Sequence, residues 1–241
     1  MLQSVLVYPR IVLNASIILV NTLVHAAPLL LLAVVKLVIP IHQFRVVISR
    51  ILVQIAESWI WVNSTVVIFT TGVKIQVEGL QALQRRGWYL VICNHQSWID
   101  IPVLQKVFNR RIPFLKFFLK QELIWVPILG LAWWALDFPF MNRYSKELLK
   151  KRPELRGKDT EATRKACEKF RDLPVSVMNF VEGTRFTQEK HDRRRSPYKN
   201  LLVPRAGGIA LVLGAMGSML NAIVDVTVIY PRGRPGVMDL L

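Results

Sequence analysis

A histidine and an aspartate five positions apart, in Asn94-His95-Gln96-Ser97-Trp98-Ile99-Asp100, follow directly on the apolar run Trp88-Tyr89-Leu90-Val91-Ile92-Cys93. That run has no polar alternation and reads as a strand buried on both faces, which places the two groups at a strand-to-helix turn. Positions five apart on an unbroken helix lie about 140° apart, so His95 belongs in the turn and only Asp100 inside the helix. There the carboxylate can hold one ring nitrogen while the other faces a substrate. An imidazole with an ordinary pKa of about 6.5 suits proton abstraction at neutral pH. A carboxylate partner fixes its tautomer and stabilises the imidazolium, as in hydrolase triads. No Ser or Cys nucleophile is needed where the substrate brings its own hydroxyl.

A second constellation, Glu182-Gly183-Thr184-Arg185, ends another apolar run, Val175 to Val181. Arg185 offers a planar fork able to bind a phosphate by two bonds. Gly183 lets the backbone turn tightly and come close to a ligand. Thr184 either adds a hydroxyl donor or caps the next element. Glu182 either holds Arg185 or meets an acceptor hydroxyl. The run Lys190, Arg193, Arg194, Arg195 and Lys199 reads as a flexible basic loop beside anionic lipid.

In this order the motifs resemble those of the glycerolipid acyltransferases of the lysophosphatidate acyltransferase (PlsC-like, HxxxxD) type. Asn94 to Asp100 is similar to their NHxxxxD block and Glu182 to Arg185 to their EGTR block. Lys120-Gln121-Glu122-Leu123 with Pro127 and Gly130 resembles the KxEL segment, and Phe140 to Arg143 the block between. The resemblance spans about Gly72 to Tyr230, and its joint order is more specific than either tetrad alone. It implies a membrane-bound O-acyltransferase that moves a fatty acyl chain from a thioester to the free hydroxyl of a lysophospholipid. His95 and Asp100 would be catalytic; Lys120, Arg143, Glu182, Gly183, Thr184 and Arg185 would bind substrate. The implied donor is acyl-CoA or acyl-carrier protein, with no metal or organic cofactor. Lysophosphatidic acid, giving phosphatidic acid, is the first acceptor. The later block departs from better-known members, reading Val226-Thr227-Val228-Ile229-Tyr230-Pro231, and Pro204-Arg205-Ala206-Gly207-Gly208 resembles the lysocardiolipin-type branch. A larger acceptor such as lysophosphatidylglycerol or lysocardiolipin therefore stays open.

Composition agrees with a membrane-surface enzyme. A net charge of +16 calls for an acidic partner. Hydrophobic residues at 52% argue against a soluble nucleic-acid binder, and no nucleic-acid motif is present. A non-catalytic basic membrane protein explains the charge, but not the co-occurrence of the two motifs. Cys93 and Cys167 are too far apart for a CxxC site, and His25, His42 and His191 complete no metal-ligand cluster.

The expected architecture is α/β: a mixed, largely parallel sheet flanked by helices, with an N-terminal membrane-anchoring helical segment. Residues 1–70 read as membrane-associated helices and 71–241 as the acyltransferase domain. Ile11 to Val35 carries no charged residue and is long enough to span a bilayer, although Asn14, Asn21, His25 and Pro28 suit a re-entrant hairpin as well. A cleavable signal is a third reading, disfavoured because the apolar run continues to Val35. Phe44 to Phe69, with Arg45, Arg50, Trp59 and Trp61, reads as interfacial in preference to a helix packed on the domain. Lys36, Arg45 and Arg50 against Arg10 place the domain on the cytoplasmic face, the inner membrane if bacterial. Strands are expected at Gly72–Gly79, Trp88–Cys93, Pro113–Leu119, Ala135–Phe140, Val175–Val181 and Ile223–Tyr230, and helices from Asp100 to Phe108, from Asp159 and at Ile209–Leu220. An acyl tunnel is expected among the N-terminal helices and Phe114 to Trp134. Relatives that resemble this chain continue further, so a protein longer than Leu241 is one expectation.

Overall fold

The computed structural model describes residues 7–141, 151–152 and 158–240. Two long helices open it, α1 (Val7–Val38) and α2 (His42–Thr71). They fold back on each other as an antiparallel hairpin, and the polar residues of the apolar run lie on its seam. Asn21 Nδ2 donates to Asn63 Oδ1 at 2.8 Å, Trp59 Nε1 to Thr22 Oγ1 at 3.0 Å, and His25 Nε2 meets Ser58 Oγ at 3.1 Å. Asn14 and Asn21 are buried, whereas Leu19, Val20, Leu23, Leu31 and Val34 face outward.

The inner face of α2 is a stripe at helical spacing: Ile48, Leu52, Ala56 and Ile60. It joins one hydrophobic cluster with Phe108, Phe114, Leu115 and Phe117 of the sheet domain. Buried Glu57 receives Arg85 at 2.6 Å and Arg110 at 3.7 Å, and its carbonyl accepts from Asn109 Nδ2. A carboxylate inside a long apolar helix is thus neutralised by the domain beneath it. At the other end, Asp137 takes Lys36 at the root of α1 at 2.5 Å and Lys169 at 3.1 Å. Along its inner face, then, the segment Phe44 to Phe69 is a helix packed on the domain, the second of the two readings, while Trp61 on its outer face stays exposed.

The sheet contains β1 (Tyr89–Cys93), β2 (Leu115–Phe117), β5 (Ser176–Phe180) and β6 (Ala222–Val226) in the order β2-β5-β1-β6, every pairing parallel. Between β2 and β5 come the short parallel pair β3 (Leu119–Lys120) and β4 (Phe140–Met141). Helix α3 (Asp100–Phe108) follows β1, and α4 (Leu129–Ala135) lies between β3 and β4. Helix α5 (Lys158–Glu168) precedes β5, and α6 (Gln188–Arg193) and α7 (Ala206–Met216) follow it. A last short helix, α8 (Val237–Leu240), ends the described chain. The continuous apolar runs arise because both sheet faces are covered. Leu90 and Val177 meet Cys167, Phe170, Val212 and Met216 on one side; Tyr89, Val91, Cys93 and Met178 meet the hairpin side.

Several expected strands shorten or vanish. Gly72–Gly79 runs exposed and irregular, with no buried face to reward its alternation. Ala135 closes α4, so of Ala135–Phe140 only Phe140 pairs, together with Met141 just beyond it. Gly130 has a steric reason: a Cβ there would overlap the Ile124 carbonyl oxygen. The expected acyl tunnel is not found where Phe114 and Phe117 lie, since both are buried in the packed core. A groove of about 330 Å³ does lie on the hairpin, lined by residues of α1 and α2 that include His25, Pro28 and Ser58.

Candidate active site

Cys93 lies beside Phe180 and beside Val226 in the parallel register, so the chain leaves three neighbouring strands at one edge. At that edge His95 sits in the turn and Asp100 is the first residue of α3. His95 Nδ1 and Asp100 Oδ2 are 2.8 Å apart. The same oxygen accepts the backbone N–H of Gln96 at 2.6 Å and of Ser97 at 2.9 Å. Oδ1 accepts the Tyr230 hydroxyl at 2.7 Å. Phe180 stacks on the imidazole at 3.8 Å between centroids. With Nδ1 engaged and one face covered, Nε2 is the ring atom left for a ligand.

Asp100 is fully buried. Burial alone would raise its carboxyl, but the hydrogen bonds from His95, Ser97, Tyr230 and Gln96 outweigh it and hold the group below the ordinary carboxylate range. Burial, and then the bond to Asp100 and its charge, push the Tyr230 phenol in the other direction, upward. A depressed carboxyl contributes stability that is present above the unfolded pKa of about 3.9 and fades as pH falls through the folded value. Tyr230→Phe removes one donor to the ionised form. It lowers stability at pH 7 by about 1.5–3 kcal/mol, and the deficit closes as Asp100 becomes protonated. Thermal unfolding followed from pH 7 down past the pH at which folded Asp100 is protonated checks this; an equal deficit throughout would assign Tyr230 to packing instead.

Asn94 brings Tyr230 into reach. Its Oδ1 accepts from Val228 N at 2.8 Å and its Nδ2 donates to Val228 O at 2.9 Å, a side-chain imitation of one more ladder pair. Beyond the end of β6 at Val226, the chain thus stays beside the motif turn.

Glu182 is buried and does neither of the things its motif suggested. Its Oε1 accepts His95 N at 2.9 Å and its Oε2 accepts Leu202 N at 2.7 Å. Buried, with each oxygen bonded to backbone, Glu182 makes no contact with the Arg185 guanidinium and is not exposed to an acceptor hydroxyl. The link is reciprocated by Phe186 N, which donates to His95 O at 2.8 Å. Gly183 has φ +69°, a left-handed conformation suited to glycine. Thr184 Oγ1 accepts Lys190 Nζ at 3.0 Å, and the same ammonium donates to Arg185 O. Arg185 lays its guanidinium on the ring of Trp98 at 3.6 Å, leaving its N–H edge for a ligand. The basic run is more ordered than the loop expected: Gln188–Arg193 is helical, capped by Thr187.

The structure thus brings His95, Asp100, Glu182, Gly183, Thr184 and Arg185 to one edge. Lys120 is exposed at the end of β3, and among the described residues no hydrogen bond or ion pair joins it to that group. Arg143 lies outside the described residues. Trp98, Phe180 and the role of Tyr230 were not found from the sequence, and only Trp98, inside the motif, carried a local signal.

The fold and site define a His/Asp centre beside a cationic edge on a parallel α/β sheet. Residues 74–231 match the Acyltransferase family, and the chain belongs to that family. It is 30% identical over 160 residues to 1-acyl-sn-glycerol-3-phosphate acyltransferase 3 of Arabidopsis thaliana, covering 61% of this chain and 39% of that protein. To the human 1-acyl-sn-glycerol-3-phosphate acyltransferase delta it is 26% identical, over 63% of this chain and 41% of that protein. The chain thus spans about two-fifths of the length of these relatives. In three dimensions it is similar to the 1-acyl-sn-glycerophosphate (LPA) acyltransferase PlsC of Thermotoga maritima. That likeness has TM-score 0.50 and 18% identity, over 86% of this chain and 71% of that one; it bears on the fold alone.

Proposed function

We propose that this protein transfers a fatty acyl chain from a thioester to the free hydroxyl of a lysophospholipid, with lysophosphatidic acid as the acceptor. The observation that carries this reading is the Nδ1–carboxylate pair of His95 and Asp100 on the same edge as Arg185. His95 Nε2 takes the acceptor's hydroxyl proton as the oxygen attacks the thioester carbonyl. The tetrahedral intermediate collapses to the new ester, and the leaving thiolate takes the proton back from the imidazolium. The N–H groups of His95, Gln96, Ser97 and Ile99 are already bonded within the protein, so the oxyanion is met by donors outside those four. Acyl-CoA and acyl-carrier protein both fit as donors, and we take the domain to lie on the cytoplasmic side.

Two helices long and apolar enough to cross a membrane support attachment by the hairpin. With its inner face packed on the domain, the hairpin's outward apolar face is the one offered to lipid. The test is conversion of radiolabelled lysophosphatidic acid to phosphatidic acid by membranes carrying the protein and oleoyl-CoA, beside lysophosphatidylglycerol and lysocardiolipin. Failure to acylate any of the three would overturn the reading. Arg185→Ala removes a charge-assisted fork worth about 1.5–3 kcal/mol. It raises KM for lysophosphatidic acid about 10- to 100-fold while kcat changes little. A rise confined to the thioester's KM would move Arg185 to the donor site.

A further inference from the structure

We propose that Arg194 and Arg205 form a phosphate subsite on the rim of the Gly183 turn, separate from the Arg185 guanidinium that Trp98 holds. On the acyl-transfer reading, on which this rests, the subsite takes a phosphate group of one of the two substrates.

The two side chains converge on one peptide. Arg194 Nη1 donates to the Glu182 carbonyl at 3.3 Å. Arg205 crosses the same turn so closely that a Cβ on Gly183 would lie 3.2 Å from its Cδ and 3.9 Å from its Nε. The groups are near enough that Arg205 is one cause, after burial, of Arg194's weakened hold on its proton. Neither pairs with a carboxylate among the described residues, whereas neighbouring Arg193 has Glu189. Glu182, the acid of the motif, acts favourably on Arg194 through its charge, but its carboxylate bonds two backbone N–H groups and pairs directly with neither arginine.

Two like charges held together with no carboxylate in direct contact are stabilised by an anion placed between them, and two guanidinium forks match phosphate geometry. The backbone beneath both is fixed. Arg205 N donates to Val181 O at 2.7 Å and Arg194 N to Lys190 O at 3.0 Å. Gln96 Nε2 donates to Asn200 O at 3.1 Å, tying the intervening loop to the histidine turn. Ordinary solvated arginines on a mobile loop have no such framework. Both arginines lie against the Glu182–Gly183 turn, which Glu182 Oε1 joins to His95 N.

A phosphate ester there belongs either to the acceptor's headgroup or to the nucleotide end of a CoA thioester. Calorimetric titration of the full chain in nanodiscs of zwitterionic lipid separates them, with glycerol 3-phosphate and adenosine 3′,5′-bisphosphate as probes. At least one probe binds the wild type, and Arg194→Gln and Arg205→Gln each weaken it about 10-fold, near 1.4 kcal/mol. Loss confined to glycerol 3-phosphate assigns the acceptor; loss confined to the bisphosphate assigns the donor. Arg194→Lys and Arg205→Lys keep the charge without the fork and recover part of the binding, which also covers the case of a glutamine variant that fails to fold. The proposal is overturned if neither probe binds the wild type, or if the double glutamine variant binds both unchanged. It is overturned equally if the substitutions weaken only association with phosphatidylglycerol vesicles. Binding is read without turnover, so a wild type that binds a probe yet moves no acyl chain sinks the acyl-transfer reading and leaves the subsite standing.

Discussion

His95→Ala lowers acyl transfer to lysophosphatidic acid by about 10²- to 10⁴-fold, the range of a positioned general base, with KM for both substrates nearly unchanged. The reason is geometric. Nδ1 is tied to a fully buried carboxylate at 2.8 Å, so the imidazole presents Nε2 in one orientation and one tautomer. Asp100→Asn keeps the shape but loses the charge that stabilises the imidazolium. Its amide also puts an N–H₂ group where a carboxylate oxygen accepted from His95, Gln96 and Ser97 or from Tyr230, so that donor faces donor. Turnover therefore falls strongly here too. Initial rates in membranes matched for protein content read both variants. Full turnover in His95→Ala would remove the general base from the mechanism.

Glu182→Gln is expected to reduce both stability and turnover. The native carboxylate joins His95 N to Leu202 N, and an amide can accept at only one of its two atoms. One buried backbone N–H then loses its acceptor at a cost of about 1–3 kcal/mol. Either the histidine turn or the loop running to Arg205 comes free. Turnover drops by more than the stability loss implies, because a displacement of about 1 Å at the reacting groups costs on the order of 10²-fold. Thermal unfolding and kcat measured on one preparation check this. A raised acceptor KM with unfolding unchanged would return Glu182 to direct contact with substrate.

Much of the centre is legible in the sequence. The five-residue spacing of His95 and Asp100 after an apolar run forces a turn and then a helix start, and the observed pair has that form. The parallel α/β class followed from apolar runs that alternate with helical segments. Gly72–Gly79 failed as a strand because alternation describes what a strand would bury, and nothing lies against it to be buried. The polar residues of the first helix left spanning and re-entrant readings open; their use lies in a partner helix about forty residues away.

By itself, then, the sequence determined what adjacent residues dictate: the strand-turn-helix that carries His95 and Asp100, the glycine turn before Arg185, and the long apolar helices. Only the tertiary structure decided that Tyr230 reaches Asp100, that Glu182 ties the two motifs through their backbones, and that Arg194 and Arg205 meet over Gly183. Local steric preference and hydrophobic period are written within a few residues. Which side chain fills a given hydrogen-bonding vacancy depends on the register of parallel strands far apart in the chain, and no local pattern encodes that register.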